Sequence, residues 1–474
     1  MSIAIRLEPL GTQVKTEPGA PLRDLLLPFG VEFPCGGKGR CRRCRVRVLE
    51  GDVDPGAGGD AADLEPGCML ACRARAAANA TLEIGQFEAP ILADDRPFSF
   101  EPRPGRAIAI DLGTTTVVAQ LVDLATGAVL GVRTALNPQA AWGADVMTRI
   151  EHALHPEGRA RLRDAIHAAL DEMIASLCGN RQPDAVAICG NTAMLHLFDG
   201  LDPTPLSHAP FEPVHLESPN GFLPCIGGFV GSDILAGIVA TGMHESGDLS
   251  VLIDLGTNGE VVVGNRERLL CASTAAGPAF EGGRISRGMR ASTGAISEAA
   301  VEGDGIRCTV IGGGPARGIC GSGLVDAVAA GLDLGRITPR GRTPQPLELA
   351  DGLALTQADV RELQLAKAAI AGGVRALLHQ LGAAPADVRR VWLAGAFGNY
   401  VNRASARRIG LLEFPEETVE PAGNTALLGA KIALFAPDPT FRGVRVIARH
   451  VPLGADPAFQ DAYVDAMPFP DPKA

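Results

Sequence analysis

Hydrophobic and polar positions change rhythm along this chain. Over roughly the first ninety residues they alternate, as in half-buried strands. IAIRLEP and TQVKTEP read as two short strands joined at Gly11, PLRDLLLPFG as a short helix closing at Gly30, and CRVRVLEGDV and TLEIGQF as further strands. Residues 88–105, EAPILADDRPFSFEPRPG, carry four prolines and no clear period. That composition predicts an extended, semi-rigid tether; the blander alternative is a connection packed onto one domain. Either way a boundary falls there. Beyond it the strands become continuously apolar, as in AIAID, VVAQLVD and VLIDL, and alternate with helical patterns. Residues 158–178 form a long amphipathic helix. A second, 357–381, opens after Thr356 with Asp359 three positions on, a capping-box arrangement, and stops at Gly382. GICGSGLVDAV at 318–328 is a glycine turn opening a helix, and it does not satisfy the dinucleotide-binding spacing. The fold class is α/β.

Composition narrows the picture. The chain has 474 residues, 46% of them hydrophobic, enough for several domains with substantial cores. Its 58 glycines and 35 prolines are dispersed without a repeat, which excludes collagen-like and disordered readings. A net charge of −11 argues against nucleic acid or an anionic membrane as partner. The first residues lack a basic stretch followed by an apolar core, so no signal peptide is expected, and no run of eighteen apolar residues exists to span a membrane. Eleven cysteines without an export signal suggest reduced thiols or metal ligands, hence a cytoplasmic protein.

Three of those thiols stand together in CGGKGRCRRC: Cys35, Cys41 and Cys44, with Cys72 following in MLACRA. A closely spaced trio plus a distant fourth is the pattern that holds a 2Fe–2S cluster. The first gap is one residue longer than in plant-type ferredoxins and resembles the adrenodoxin-like ones. Gly36, Gly37 and Gly39 let the loop turn backbone N–H groups toward sulfide. Cys68 competes for the fourth place, and the Leu-Ala-Cys context favours Cys72. The alternative is a zinc knuckle, but zinc sites usually come as two pairs. The basic run from Lys38 to Arg47 either offsets the cluster's charge or docks an acidic electron donor.

A second constellation is an echo. AIAIDLGTTTVVAQLVD at 107–123 places Asp111 at the end of an apolar strand, then Gly113, Thr114 and Thr115, then another strand. VLIDLGTNGEVVVGN at 251–265 repeats it with Asp254, Gly256, Thr257 and Asn258. Each is a strand–turn–strand unit whose tight turn offers N–H groups to phosphate oxygens, while the aspartate suits hydrated Mg²⁺. A third element, VRRVWLAGAFGNYVN, runs a strand into Gly395 and Gly398, where glycines would let backbone pass close to an adenosine. Cys189 and His196 in ICGNTAMLHLF read as core residues rather than a catalytic pair. Cys178, Cys225, Cys271, Cys308 and Cys320 show no ligand spacing and read as buried thiols.

The two hairpins and the glycine strand resemble the phosphate-1, phosphate-2 and adenosine motifs of the ASKHA superfamily, which implies two ribonuclease-H-like lobes with ATP between them. With the cysteine domain in front, nearly the whole chain resembles the ATP-dependent reductive activators of corrinoid proteins, through IDLGTNGE, ASTAAGPAFEG, GICGSGLVDA, QLAKAAI and LAGAFGNYVN. IGLLE at 409–413 departs from that family's usual IGLLP. The resemblance implies a β-grasp ferredoxin-type domain at 1–88, a linker at 89–105, a first ASKHA lobe at 106–215 and a second at 216–474. It further implies a 2Fe–2S cluster, ATP and Mg²⁺, and an electron returned to Co(II) of a cobalamin- or corrinoid-dependent methyltransferase. An upstream electron donor is expected, and a homodimer through the ASKHA lobes. A plant-type cluster near roughly −400 mV falls short of that reduction, which would explain an ATPase on the same chain. The competing classes are a small-molecule kinase with an accessory ferredoxin, and an electron carrier for a reductase or oxygenase.

Overall fold

The computed structural model describes residues 2–8, 12–26, 31, 44–56, 67–84, 98–143, 145–179, 181–256, 258–292, 294–436 and 439–471. The alternating strands at the start form a mixed sheet. Its order is Thr12–Thr16, Ile3–Glu8, Arg75–Ile84, Arg45–Asp54, Cys68–Leu70 among the described residues. The first and last strands in sequence lie side by side and parallel, with Ile5 opposite Ala80. Parallel neighbours need a crossover, and the helix Leu22–Leu26 belongs to it. Leu22 and Leu26 join Ile5, Leu7, Val46, Leu82 and Ile84 in one buried core. This is the expected β-grasp arrangement. Gly30 lies outside the described residues.

The connection is packed from residue 98 onward, as the blander reading had it. Phe98 packs edge-on and Phe100 tilted against Phe435, with ring centroids 5.4 and 4.5 Å away, and Arg103 donates to the Leu434 carbonyl at 2.6 Å. Residues 89–97 lie outside the described residues.

Two larger sheets follow, and the echo in the sequence becomes an echo in topology. The first has the order Val129–Leu136, Thr116–Asp123, Arg106–Leu112, Ala185–Cys189. The second contains Leu269–Thr274, Gly259–Gly264, Ser250–Leu255, Arg390–Ala394, extended by Val419–Gly423 at one edge and Ala448–His450 at the other. In both, three antiparallel strands meet a parallel fourth. Strands in such sheets are covered on both faces, which is why they read as continuous apolar runs.

One face of the first sheet packs on Pro156–Cys178 and Thr192–Asp199 through Ile108, Ile110, Leu162, Ile166 and Leu195. Its other face, with Ala107, Ala109 and Val118, meets Ala236, Leu427 and Ala430. These belong to the helices Ser232–Thr241 and Thr425–Ala433, whose opposite sides pack on the second sheet through Leu235, Ile238, Leu252 and Val262. The pair therefore sits between the lobes. It crosses almost backbone to backbone: a Cβ on Gly429 would stand 2.2 Å from the Ala236 carbonyl oxygen. Each fully buried branched residue here contributes roughly 1.5–3 kcal/mol.

The far face of the second sheet carries the helix Gln357–Leu381, capped by Thr356 and Asp359 as expected, together with Gly321–Asp333. Cys225, Cys271 and Cys320 are buried, but Cys178 and Cys308 are only partly so, because each packs against its core from a peripheral element. Among the described residues no helix is long and apolar enough to cross a membrane.

Candidate functional site

The ends of the two sheets bring the duplicated hairpins together. Asp111 ends the strand Arg106–Leu112 opposite Val118 and Cys189, and Asp254 ends Ser250–Leu255 opposite Glu260 and Ala394. Both carboxylates are recessed where the lobes meet. Burial raises Asp111 to about 6, partly offset by a hydrogen bond donated by Asn424 at 2.8 Å. Burial, then the nearby Asp111 charge, raises Asp254 to about 7.

Two carboxylates that the motif reading did not name join them. Asp233 opens the helix Ser232–Thr241 and is raised to about 8, first by burial and further by Asp254 and Asp111. Glu260, on the second strand of the second hairpin, accepts from Ser273 Oγ at 3.0 Å and is pushed well above its ordinary value by burial, Asp233 and Asp254. Carboxylates that raise one another in a recess call for a cation. Among the described residues no three of His, Cys, Asp and Glu close around a metal position.

The turn after Asp111 is braced from below. Asn137 Nδ2 donates to the Gly113 carbonyl at 2.9 Å and its backbone N–H to Thr115 O at 2.8 Å. Asn191 Nδ2 donates to Thr114 Oγ1 at 2.9 Å. In the second turn the Gly256 N–H bonds Asn258 O at 3.0 Å, and Thr257 lies outside the described residues. Ile370 of the long helix backs this hairpin: a Cβ on Gly259 would stand 2.7 Å from its Cγ1.

Gly395 follows the strand Arg390–Ala394 at φ +82°, and a Cβ there would stand 2.7 Å from both Asp254 Oδ1 and Leu255 O. A Cβ on Gly398 would meet the Leu393 backbone at 3.0 Å. Both glycines thus have a reason within the chain itself, independent of any bound base. Phe397 between them stacks on Phe280, with centroids 4.7 Å apart.

Cys189 and His196 are both committed to backbone, Cys189 Sγ donating to Ala426 O at 3.2 Å and His196 Nδ1 lying 2.9 Å from Thr192 O. Neither is placed as a nucleophile or its base. The sequence signals for the missed residues are faint. Glu260 closes the quoted IDLGTNGE, Asn191 lies in ICGNTAMLHLF, and Asn424 repeats that context in GNTALLG.

At the other end of the chain Cys35 and Cys41 lie outside the described residues. Cys44 is buried, and its carbonyl accepts from Ala71 N at 2.8 Å, which sets Cys72 beside it. Cys68 instead pairs across the sheet with Arg47, three positions along the strand. Neither Cys44 nor Cys72 forms a disulfide. Cys44 is part of this domain's buried core, and Cys72 packs against the same core.

Three family profiles divide the chain as these sites do. Residues 5–77 match a 2Fe–2S iron–sulfur cluster binding domain, 106–222 the RACo middle region, and 248–474 the C-terminal domain of RACo, the ASKHA domain. The corrinoid activation enzyme RamQ of Eubacterium limosum is 36% identical over 434 residues, 80% of this chain and 73% of that protein. The Co(II) methylated amine-specific corrinoid protein reductase of Methanosarcina barkeri is 27% identical, covering 76% of each. The solved structure of a reductive activator for corrinoid, iron–sulfur protein superimposes with a TM-score of 0.68 at 26% identity, over 99% of this chain and 98% of that one. With the RamQ match covering more than two thirds of each chain, the chain belongs to the RACo family of reductive activators of corrinoid proteins.

Proposed function

We propose that this chain returns an inactive Co(II) corrinoid in a methyltransferase or corrinoid protein to Co(I), coupling the low-potential electron to ATP binding and hydrolysis. The observation that carries the reading is the facing of Asp111 and Asp254 at one inter-lobe recess, on a chain whose Cys44 and Cys72 share the core of a separate domain. A 2Fe–2S cluster, when bound, supplies one-electron transfer, and Cys35, Cys41, Cys44 and Cys72 are the residues that would hold it.

The rest of the chemistry belongs to the lobes. Gly113, Thr114 and Thr115, braced by Asn137 and Asn191, would receive one phosphate group, and Gly256, Thr257 and Asn258 another. Asp111 and Asp254 would hold the water shell of Mg²⁺, with Asp233 and Glu260 deepening the negative field. Because the central helices pack on both sheets, a nucleotide gripped by both turns biases how the lobes sit. That bias is the means by which ATP can act on a bound partner, and an upstream donor would reduce the chain beforehand. A homodimer through the lobes fits the same reading.

Asp111→Asn and Asp254→Asn in the full-length protein should each remove Mg-ATP hydrolysis while the visible spectrum of the iron–sulfur domain stays unchanged. Wild-type hydrolysis in both variants would remove the reading.

A further inference from the structure

GNTA followed by an apolar pair occurs twice in this chain, as Gly190–Leu195 and Gly423–Leu428, and neither copy belongs to the hairpin echo. Both copies fold alike: a strand ends, the asparagine caps a helix, and its amide is left facing the same turn. Asn191 Oδ1 accepts from Met194 N at 3.0 Å, so its Nδ2 points to Thr114. Asn424 Oδ1 accepts from Leu427 N at 2.8 Å, so its Nδ2 points to Asp111 Oδ2. In each case the cap fixes which end of the amide is the donor.

The two differ in where they stand. Asn191 follows a strand of the first sheet, beside Asp111, and moves with that lobe. Asn424 follows the edge strand of the second sheet. There Gly423 pairs with Ala394, and Ala394 pairs with Asp254. A continuous path therefore runs from Asp254 through two strand neighbours to Asn424 and across to Asp111. We propose that Asn424 is a positioning residue that ties the phosphate-1 carboxylate to the second lobe, so that Asp111 is aligned for hydrolysis only in one relative setting of the lobes. This rests on the nucleotide reading above.

Serine caps a helix about as well as asparagine but is one bond shorter, so Asn424→Ser keeps the cap and loses the reach to Asp111. A hydrogen bond to a charged group is worth enough to change a rate tenfold or more. In the full-length protein Asn424→Ser should melt within about 2 °C of wild type, while kcat for Mg-ATP hydrolysis falls about tenfold or more and KM changes less than about threefold. Asn424→Asp also caps but faces Asp111 with like charge, and should lose more. A kcat within twofold of wild type in Asn424→Ser would overturn the proposal. So would a loss of kcat that follows a loss of melting temperature, or a rise in KM alone. Asp111→Asn, run alongside, separates the two failures. If it abolishes turnover while Asn424→Ser does not, only the role of Asn424 falls. If Asp111→Asn retains turnover, the nucleotide reading falls and this proposal with it.

Discussion

Lys367, on the long helix behind the second hairpin, hydrogen-bonds the carbonyl of Ala466 and draws the segment after Asp465 onto the second lobe. It donates a second bond to Pro468 O at 2.6 Å. Gln364 donates to Met467 O and Arg408 to Pro470 O, each at 3.0 Å. Lys367 belongs to the QLAKAAI segment that marks the family resemblance, and its partner here is this chain's own backbone.

Burial lowers Lys367 to about 7, and a neutral amine still has two N–H groups for its two carbonyls. Between that value and its ordinary one the unfolded chain holds a proton that the folded chain lacks. Stability from this group therefore rises as pH rises from about 7 to about 10. Lys367→Met should cost about 2–3 kcal/mol through the orphaned carbonyls and flatten that rise, read from urea unfolding at pH 7 and pH 9. An unchanged slope would contradict the assignment.

The cleft carboxylates act in the opposite sense. Asp111, Asp254 and Asp233 sit at about 6, 7 and 8, above their ordinary values, so the folded protein holds protons that the unfolded chain has released. Their contribution is full below about pH 4 and is lost as pH rises through about 8. With EDTA and no nucleotide, Asp233→Asn should melt less steeply with pH over this range than wild type. Mg-ATP, which needs the carboxylates ionised, should bind more tightly as pH rises.

Gly395 gives a backbone test. Alanine there is strained at φ +82° and places a Cβ against Asp254 Oδ1. Gly395→Ala should cost about 1 kcal/mol or more and lower kcat/KM for ATP by at least tenfold by displacing Asp254. Steady-state ATPase with a parallel thermal melt checks both.

How much of this was legible follows from sequence distance. Asp111 and Asp254 could be found because each closes a local strand–turn–strand unit and the unit occurs twice. Thr356 and Asp359 could be found because a cap is a local pattern. Asp233 carries no local signature, and Asn424 only the repeated GNTA. They reach the cleft because two sheets clasp one helix pair, and that packing is decided by residues far apart, such as Ala236 and Gly429. The same holds for Phe98 and Phe100: proline composition suggests an extended, semi-rigid tether, while their apolar partner Phe435 lies more than three hundred residues on in the chain.

For the cysteines, the proposal that Cys72 rather than Cys68 is the fourth thiolate is open to direct test. Cys72→Ser in the full-length chain should lose the red-brown absorbance and about two iron per chain. Cys68→Ser, opposite Arg47, should keep both. The reverse outcome would exchange the assignment.

The central claim is that the cysteine domain and the nucleotide cleft act together on cobalt, and a Co(II)-to-Co(I) absorbance assay with a prereduced full-length protein and its corrinoid partner tests it directly. Wild type with Mg-ATP should generate Co(I). Asp254→Asn, with its iron–sulfur spectrum intact, should generate at most a few per cent of that rate, as should Cys44→Ser, with its ATPase intact. Co(I) formed by Asp254→Asn at the wild-type rate, or by wild type equally without ATP, would contradict the account.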